Sequence, residues 1–465
     1  MTNCNEEVNA SNLFTGKVIL APMVRQNSLP FRLICLDYGA DLVYTEELID
    51  YRLSSCRRLE NIFLDTIDFV DDRGEVILRT TRGEKDKLVV QLGSNNPERA
   101  LKAARLVSKD VLAIDFNFGC PKAFSLTGGM GAALLEKPEQ IKALLTKCVQ
   151  NLDIPVTCKI RILPNLDETI KLVKMIESCG VAAIAVHGRT KEQRPHDENQ
   201  VSFIRNIANS ISIPVIANGG SSHIKHYSDI IKFKEESGAS SVMIARAAMR
   251  NPSIFKSSGS MEQINDVIDS FLELAVRYNN YFASTKYSLQ AMMASQRLGG
   301  KLTSEMHACV DYDSLCSIFG KADWYAKNRI IEDKLKFYGD GYADATLRIL
   351  LNEKKSSLKS KGIDLICDSI PYIPRFYEFK APKSLLMDSV NRDIHNRPKF
   401  DVFQLRNRSY HCIVTHRNKC YLNETPSSSK KNSEHATALL VCQHMHLIDL
   451  EEYKSRACCN SKNIN

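Results

Sequence analysis

Pro155-Val156-Thr157-Cys158-Lys159-Ile160, Ala183-Ile184-Ala185-Val186-His187, Pro214-Val215-Ile216-Ala217-Asn218 and Ser241-Val242-Met243-Ile244-Ala245 follow one another at short intervals. Each is an apolar, β-branched run of strand length that ends on a polar or glycine-bearing loop, and such runs read as buried strands. Toward the N-terminus the same unit recurs at Val18–Met23, Leu42–Tyr44, Leu88–Leu92 and Leu112–Phe116. Between the runs lie Glu98–Val107, Pro138–Val149 and Glu168–Cys179, whose apolar residues repeat at three- and four-residue spacing, as one-sided helices require. Strand then helix, repeated, predicts a parallel sheet. Eight units in about 235 residues predict a closed (β/α)8 barrel of the TIM type, since an open doubly wound sheet would carry a G-x-G-x-x-G turn after its first strand. No such turn follows Val18–Met23.

Active sites of such barrels are built from the C-terminal ends of the strands. Here those ends carry Pro22-Met23, Glu46-Glu47, Gln91, Asn117 with Cys120, Lys159 with Arg161, His187 with Arg189, Asn218-Gly219-Gly220 and Ala245-Arg246. Any one of them has a structural explanation, such as a turn glycine or a packed cysteine. Their concentration at one end of one barrel predicts a site. Gly219, Gly220 and Arg246 close the seventh and eighth units, where barrels commonly seat a phosphate, so a phosphorylated cofactor is expected there. Lys159 is suited to stabilise negative charge on a reduced ring, with Gln91 and His187 supplying hydrogen bonds and Pro22-Met23 an apolar step to pack against it. Cys120 sits in Asn117-Phe118-Gly119-Cys120-Pro121-Lys122, ahead of the glycine-rich Thr127-Gly128-Gly129-Met130-Gly131. No cysteine–histidine pairing that would make it a nucleophile is evident. A thiol with an ordinary pKa of about 8.5 stays protonated at neutral pH and can act as an acid.

Composition sets outer bounds. The 465 residues are 44% hydrophobic and 25% charged, enough for two or three folded units. The fifteen cysteines show no C-x-x-C spacing, so neither a metal site nor a disulfide framework is expected, and reduced thiols in the cytoplasm are the simplest reading. No apolar run of about eighteen residues appears and the first fifteen lack a secretory pattern, so no membrane association is expected. Residues 375–465 hold fifteen Lys/Arg against nine Asp/Glu, or +6 of the net +8. A basic C-terminal unit on a near-neutral body suggests a polyanionic partner.

Leu20-Ala21-Pro22-Met23-Val24, Asn117-Phe118-Gly119-Cys120-Pro121-Lys122, Cys158-Lys159-Ile160-Arg161, Val186-His187-Gly188-Arg189 and Asn218-Gly219-Gly220 resemble, in order and spacing, the tRNA-dihydrouridine synthases. The stretches 37–41, 46–50 and 241–249 look like the eukaryotic branch that modifies position 20 of tRNA. The resemblance implies FMN as cofactor, NADPH as reductant, hydride transfer to C6 of a uracil and protonation of C5 by Cys120. By motif position it implies FMN contacts from Pro22, Met23, Val24, Gln91, Lys159, His187, Asn218, Gly219, Gly220, Ala245 and Arg246. One departure is Phe118, where the family's loop often has a smaller residue; altered loop packing is expected there.

The expected organisation is a tail at 1–16, the barrel at 17–256, a helical domain at 257–350, a linker at 351–374, a final domain at 375–453 and a tail at 454–465. Helical spacing recurs in Val267–Tyr281 and Asp333–Leu351. In the final domain, a helix over Pro382–Asn391, strands at Phe400–Leu405, Tyr410–Thr415 and Lys419–Asn423, and a closing helix give an α-β-β-β-α order. This order, with Lys430 and Lys431 at the start of the last helix, resembles a double-stranded RNA-binding domain, implying tRNA contacts by those lysines. The connection Arg406-Asn407-Arg408-Ser409 lacks the usual Gly-Pro turn. Two other readings stay open on the residues alone: a reductase of free pyrimidines, and an RNA-binding protein that keeps the barrel as scaffold.

Overall fold

The computed structural model describes residues 10–328 apart from 62–63, 73 and 296–300, and beyond them 364–368, 381–390, 397–404 and 410–449 apart from 418, 424–426 and 428. In chain order the first strands are β1 (Val18–Leu20), β2 (Leu42–Tyr44), β3 (Leu48–Ile49), β4 (Arg57–Asn61), β5 (Thr66–Val70) and β6 (Val76–Thr80). Then come β7 (Leu88–Gly93), β8 (Ala113–Phe118), β9 (Val156–Arg161), β10 (Ala183–His187), β11 (Val215–Asn218) and β12 (Ser241–Ile244). Strands β2, β1, β12, β11, β10, β9, β8 and β7 are parallel neighbours in that order, and β2 pairs with β7 to close an eight-stranded barrel.

Each of the eight expected runs is a barrel strand. The first stops at Leu20 instead of Met23 because the Asn27 amide donates to the Ala21 carbonyl (2.7 Å) and the Tyr44 carbonyl (2.8 Å), turning the chain out of the sheet. Pro155 and Pro214 lie just outside their strands, which begin at the following valines, since proline has no N–H to give the ladder. Alternation sends Ile19, Tyr44, Val89, Ala113, Ala185, Ile216 and Met243 into a buried cluster separate from the main core, as a barrel interior requires. Phe14, fully buried in that cluster, belongs to the short turn Ala10–Phe14, within the stretch expected to be a tail. The other faces of the strands pack on the helices Pro97–Val107, Pro138–Val149, Leu166–Ser178, Val201–Ala208 and Tyr227–Ser237.

Two features had no counterpart in the sequence reading. The two-residue β3 pairs parallel with the end of β7, Leu48 opposite Leu92 and Ile49 opposite Gly93. Strands β4, β5 and β6 form a separate antiparallel sheet between the second and third barrel units. Arg79 of β6 pairs with Asp68 and donates to the Tyr278 carbonyl (2.7 Å), joining this sheet to the helices Ile264–Arg277, Phe282–Ser295, Lys301–Ala308, Tyr312–Ile318 and Ala322–Asn328. Phe31 meets Phe271 edge to face at 6.2 Å, seating the first of these helices on the barrel.

A second compact unit follows residue 334. It contains β13 (Asp364–Asp368), helix Pro382–Ser389, β14 (Lys399–Gln404), β15 (Tyr410–His416), β16 (Lys419–Asn423) and helix Lys430–His444. The expected α-β-β-β-α order is present, with β14, β15 and β16 antiparallel. In addition, β13, inside the stretch expected to be a linker, pairs parallel with β16. Its core is Leu386, Cys412, Val414, Ala438, Leu439 and Cys442. The helical spacing at Asp333–Leu351 and the connection Arg406–Ser409 fall outside the described residues. Among the described residues no helix is long and apolar enough to cross a membrane, and no cluster of metal-ligating side chains occurs.

Candidate active site

At the C-terminal end of the barrel, register places Gln91 opposite Asp115, Asn117 opposite Lys159, Arg161 opposite His187 and His187 opposite Asn218. These residues share one parity, so their side chains rise from the same face of the sheet. Deepest is a buried polar layer in which Asp115 accepts from the Gln91 amide (2.8 Å) and the Thr157 hydroxyl (2.8 Å). Burial raises the Asp115 pKa to about 6, against these hydrogen bonds and the nearby Lys159.

Above that layer the charges are positive and crowded. Lys159 has no ion pair among the described residues, and burial, with Arg161 beside it, lowers its pKa to about 8. Burial, together with Lys159, Arg161, Arg189 and Arg246, pushes His187 well below its ordinary value, so its ring is neutral. Its Nε2 lies 3.1 Å from Nη1 of Arg189; since a guanidinium only donates, Nε2 accepts and the ring proton sits on Nδ1. Arg189 also donates to the carbonyls of Gly219 (2.9 Å) and Asp197 (2.8 Å). Arg161 donates to the carbonyls of Gly119 (3.0 Å) and Thr190 (2.7 Å) and so braces the Cys120 loop. Cations pressed together, none of them in an ion pair among the described residues, are costly unless an anion joins them.

Asn218 donates to the Met243 carbonyl (2.8 Å), bringing the ends of β11 and β12 together. Gly219 takes φ 111°, and a side chain there would stand 2.7 Å from Cγ of Asn199. Gly220 lies against the Phe233 ring, where a Cβ would sit at 3.0 Å. Ala245 precedes the short helix Arg246–Arg250, leaving the half-buried Arg246 beside these glycines in the charge cluster. Pro22, Met23 and Val24 are half-buried in the loop after β1, and the Met23 carbonyl accepts from the backbone of Gln26 (3.2 Å) and Asn27 (3.3 Å).

Cys120 is half-buried, on the loop after β8. Burial and the adjacent Glu47 carboxylate raise its pKa, so the sulfur keeps its proton. The loop is anchored by the Ala132 N–H to the Cys120 carbonyl (3.0 Å) and by the Asn95 amide to the Gly128 carbonyl (2.7 Å). Gly131 closes it at φ 57°, where a Cβ would lie 2.7 Å from the Cys120 carbonyl oxygen. Phe118 is fully buried and stacks on Phe116 with ring centroids 6.5 Å apart.

The family model for dihydrouridine synthase (Dus) matches residues 19–311. The chain belongs to the dihydrouridine synthase family. Among the relatives of this chain is the tRNA-dihydrouridine(20) synthase (NAD(P)+) of Schizosaccharomyces pombe, 38% identical over 60% of this chain and 60% of that protein. The enzyme of the same name in Saccharomyces cerevisiae is 35% identical over 60% of this chain and 78% of its own length. A crystal structure of the dsRBD of human tRNA-dihydrouridine(20) synthase matches 19% of this chain and 95% of its own at 23% identity, with a TM-score of 0.18.

In this family member, every residue expected at the site between Pro22 and Arg246 lies at this barrel end. Lys430 and Lys431 belong to the second unit, exposed on the first turn of its last helix. Several participants were not expected. Asp115 sits mid-strand, where the sequence shows only one polar residue among apolar ones. Asn199 is buried with neither amide atom bonded, and lies in a loop with no strand-end cue. Gln26 is fully buried with its amide likewise unbonded. Glu47 was noted only as a strand-end residue.

A phosphorylated flavin would fit these donors. The cations at Lys159, Arg161, Arg189 and Arg246 suit a phosphate and a ring that gains negative charge, while the unpaired amides of Asn199 and Gln26 suit a ligand rich in donors and acceptors.

Proposed function

We propose that this chain is a tRNA-dihydrouridine(20) synthase, using FMN reduced by NADPH to saturate the C5–C6 double bond of a uridine in tRNA, in the cytoplasm. The observation that carries this reading is the half-buried Cys120 beside a cluster of cations at the mouth of the barrel, its thiol held up by burial and Glu47. When bound, FMN supplies the hydride that goes to C6.

The chain's own residues account for the remainder. Arg246 with Gly219 and Gly220 would hold the phosphate, and Pro22, Met23 and Val24 would pack against the ring. Lys159 would oppose the negative charge of the reduced ring. The Gln91 amide is engaged by Asp115 and His187 Nε2 by Arg189, leaving the Gln91 carbonyl oxygen and the His187 Nδ1–H for the ring edge. Cys120 donates its proton to C5. Because the site lies inside the barrel mouth, the uridine must leave its stack to reach it. Exposed Lys430 and Lys431, on a domain with the α-β-β-β-α order, fit the phosphates of a double-stranded arm of tRNA.

The test combines purified protein, FMN, NADPH and unmodified tRNA, with free uracil in parallel. Dihydrouridine should form in tRNA, and Cys120→Ala should lower the rate by about 100-fold or more. Full product from Cys120→Ala, or equal turnover of free uracil, would overturn the reading.

A further inference from the structure

We propose that Glu47 is the proton relay that returns Cys120 to its thiol form after each turnover, an inference that rests on Cys120 acting as the acid in uridine reduction. The two-residue β3 starts immediately after Glu47, and its pairing with Leu92 and Gly93 carries the carboxyl across the end of β7 to the Cys120 loop. Space for it is made by Gly93, where a Cβ would stand 2.6 Å from Oε1 of Glu47. Glu47 is only 8% exposed. Its Oε1 accepts from the Ser125 hydroxyl at 3.5 Å, Cys120 and Asn117 lie close enough to act on its carboxyl, and Oε2 is buried without a partner. A buried carboxylate gathered against a thiol and a hydroxyl, with one oxygen left over, is arranged for exchanging protons rather than for an ion pair.

The chemistry requires such a group. In reduction of the uracil the S–H bond breaks, the C5–H bond forms, and the electron pair stays on sulfur as thiolate. A second turnover needs that sulfur reprotonated. In the proposed step the Glu47 O–H breaks and the Cys120 S–H forms; the carboxylate then takes a proton from water. The charged groups facing the pair are Lys159, which faces both, and Arg161, which faces Cys120. Burial raises the Glu47 carboxyl above the ordinary carboxylate range, keeping a proton available nearer neutral pH, and the negative charge of Glu47 in turn holds the thiol up. The two groups are therefore coupled, the charge on one setting the proton affinity of the other.

Two measurements separate relay from scaffold. On protein without tRNA, iodoacetamide labelling of the Cys120 peptide, followed by mass spectrometry across pH, reports the thiol directly. Glu47→Gln should move the labelling midpoint to lower pH, raising labelling at neutral pH by up to about tenfold for each pH unit moved. Ser125→Ala should move it the opposite way, since the Ser125 hydroxyl favours the thiolate. In rapid-quench assays of the reduced enzyme with tRNA, Glu47→Gln should leave the first turnover near native and slow later ones, with Glu47→Asp recovering part of the loss. An unmoved labelling profile, or first and later turnovers slowed alike, would overturn the relay. A native chain that forms no dihydrouridine overturns the functional reading and the relay with it; a productive native chain beside an unmoved profile overturns the relay alone.

Discussion

Lys159 shows how the barrel stores cost for function in one side chain. Buried next to Arg161, its ammonium has a pKa lowered from 10.5 to about 8. Below pH 8 both folded and unfolded chains carry the proton, and the folded chain bears the cost of holding it. Between pH 8 and 10.5 the unfolded chain binds the proton more strongly, so this group's contribution makes the protein more stable as pH rises across that window. Lys159→Met should therefore stabilise the cofactor-free protein at pH 7 by on the order of 2 kcal/mol, allowing for partial exposure, and abolish the rise toward pH 10.5. On the proposed function the same variant should bind FMN more weakly, because the cation would oppose the charge of the reduced ring. Urea unfolding at about pH 7 and about pH 10, on either side of the window, and flavin titration check both halves; a variant no more stable than the native chain at neutral pH would remove the argument. The sequence showed a lysine at a strand end, but its lack of a partner is a property of the closed barrel, where distant strands decide what stands nearby.

Elements with a strong apolar pattern were legible: the barrel strands and helix Pro138–Val149 lie where that pattern puts them. Elements made by pairing were not. β3 has two residues and no pattern of its own, β4 is charged and part-exposed while β5 beside it is buried throughout, and β13 lies in the stretch expected to be a linker. Each takes its structure from a neighbour, and edge pairing leaves little trace in composition. The Cys120 loop lies between these cases, because its glycines were visible while the reason for each was not. Gly131 at φ 57° packs against the Cys120 carbonyl, so Gly131→Ala must both strain the backbone and push the thiol from its place. The expected result is a fall of about 10- to 100-fold in kcat, a cost typical of misplacing a reacting group. Flavin absorbance should stay native, since the cofactor contacts lie on other strands. Loss of flavin together with turnover would mean that the loop supports the whole barrel mouth.

Positive charge is crowded in two places: residues 375–465 carry +6 of the +8, and Lys159, Arg161, Arg189 and Arg246 surround His187 at the barrel mouth. In the second unit, Ser429 caps the last helix by accepting from the Asn432 N–H (3.2 Å), and Lys430 and Lys431 follow in its first turn. That is the positive end of a helix dipole, where lysines are unfavourable and an anion is welcome. The nearest carboxylate on the helix, Glu434, is already paired with Lys383 at 2.6 Å. An RNA phosphate, the partner proposed for these lysines, would resolve this crowding. If each lysine neutralises one phosphate, replacing both with alanine should lower the slope of log affinity for tRNA against log salt by about 1 to 2, and weaken binding most at low salt. KM for tRNA should rise while kcat and flavin content hold, because neither lysine belongs to the barrel. Filter binding from about 50 to about 300 mM salt, roughly the range over which phosphate contacts are screened out, decides the matter. A double variant with the native slope would mean that the basic tail meets RNA elsewhere, or not at all.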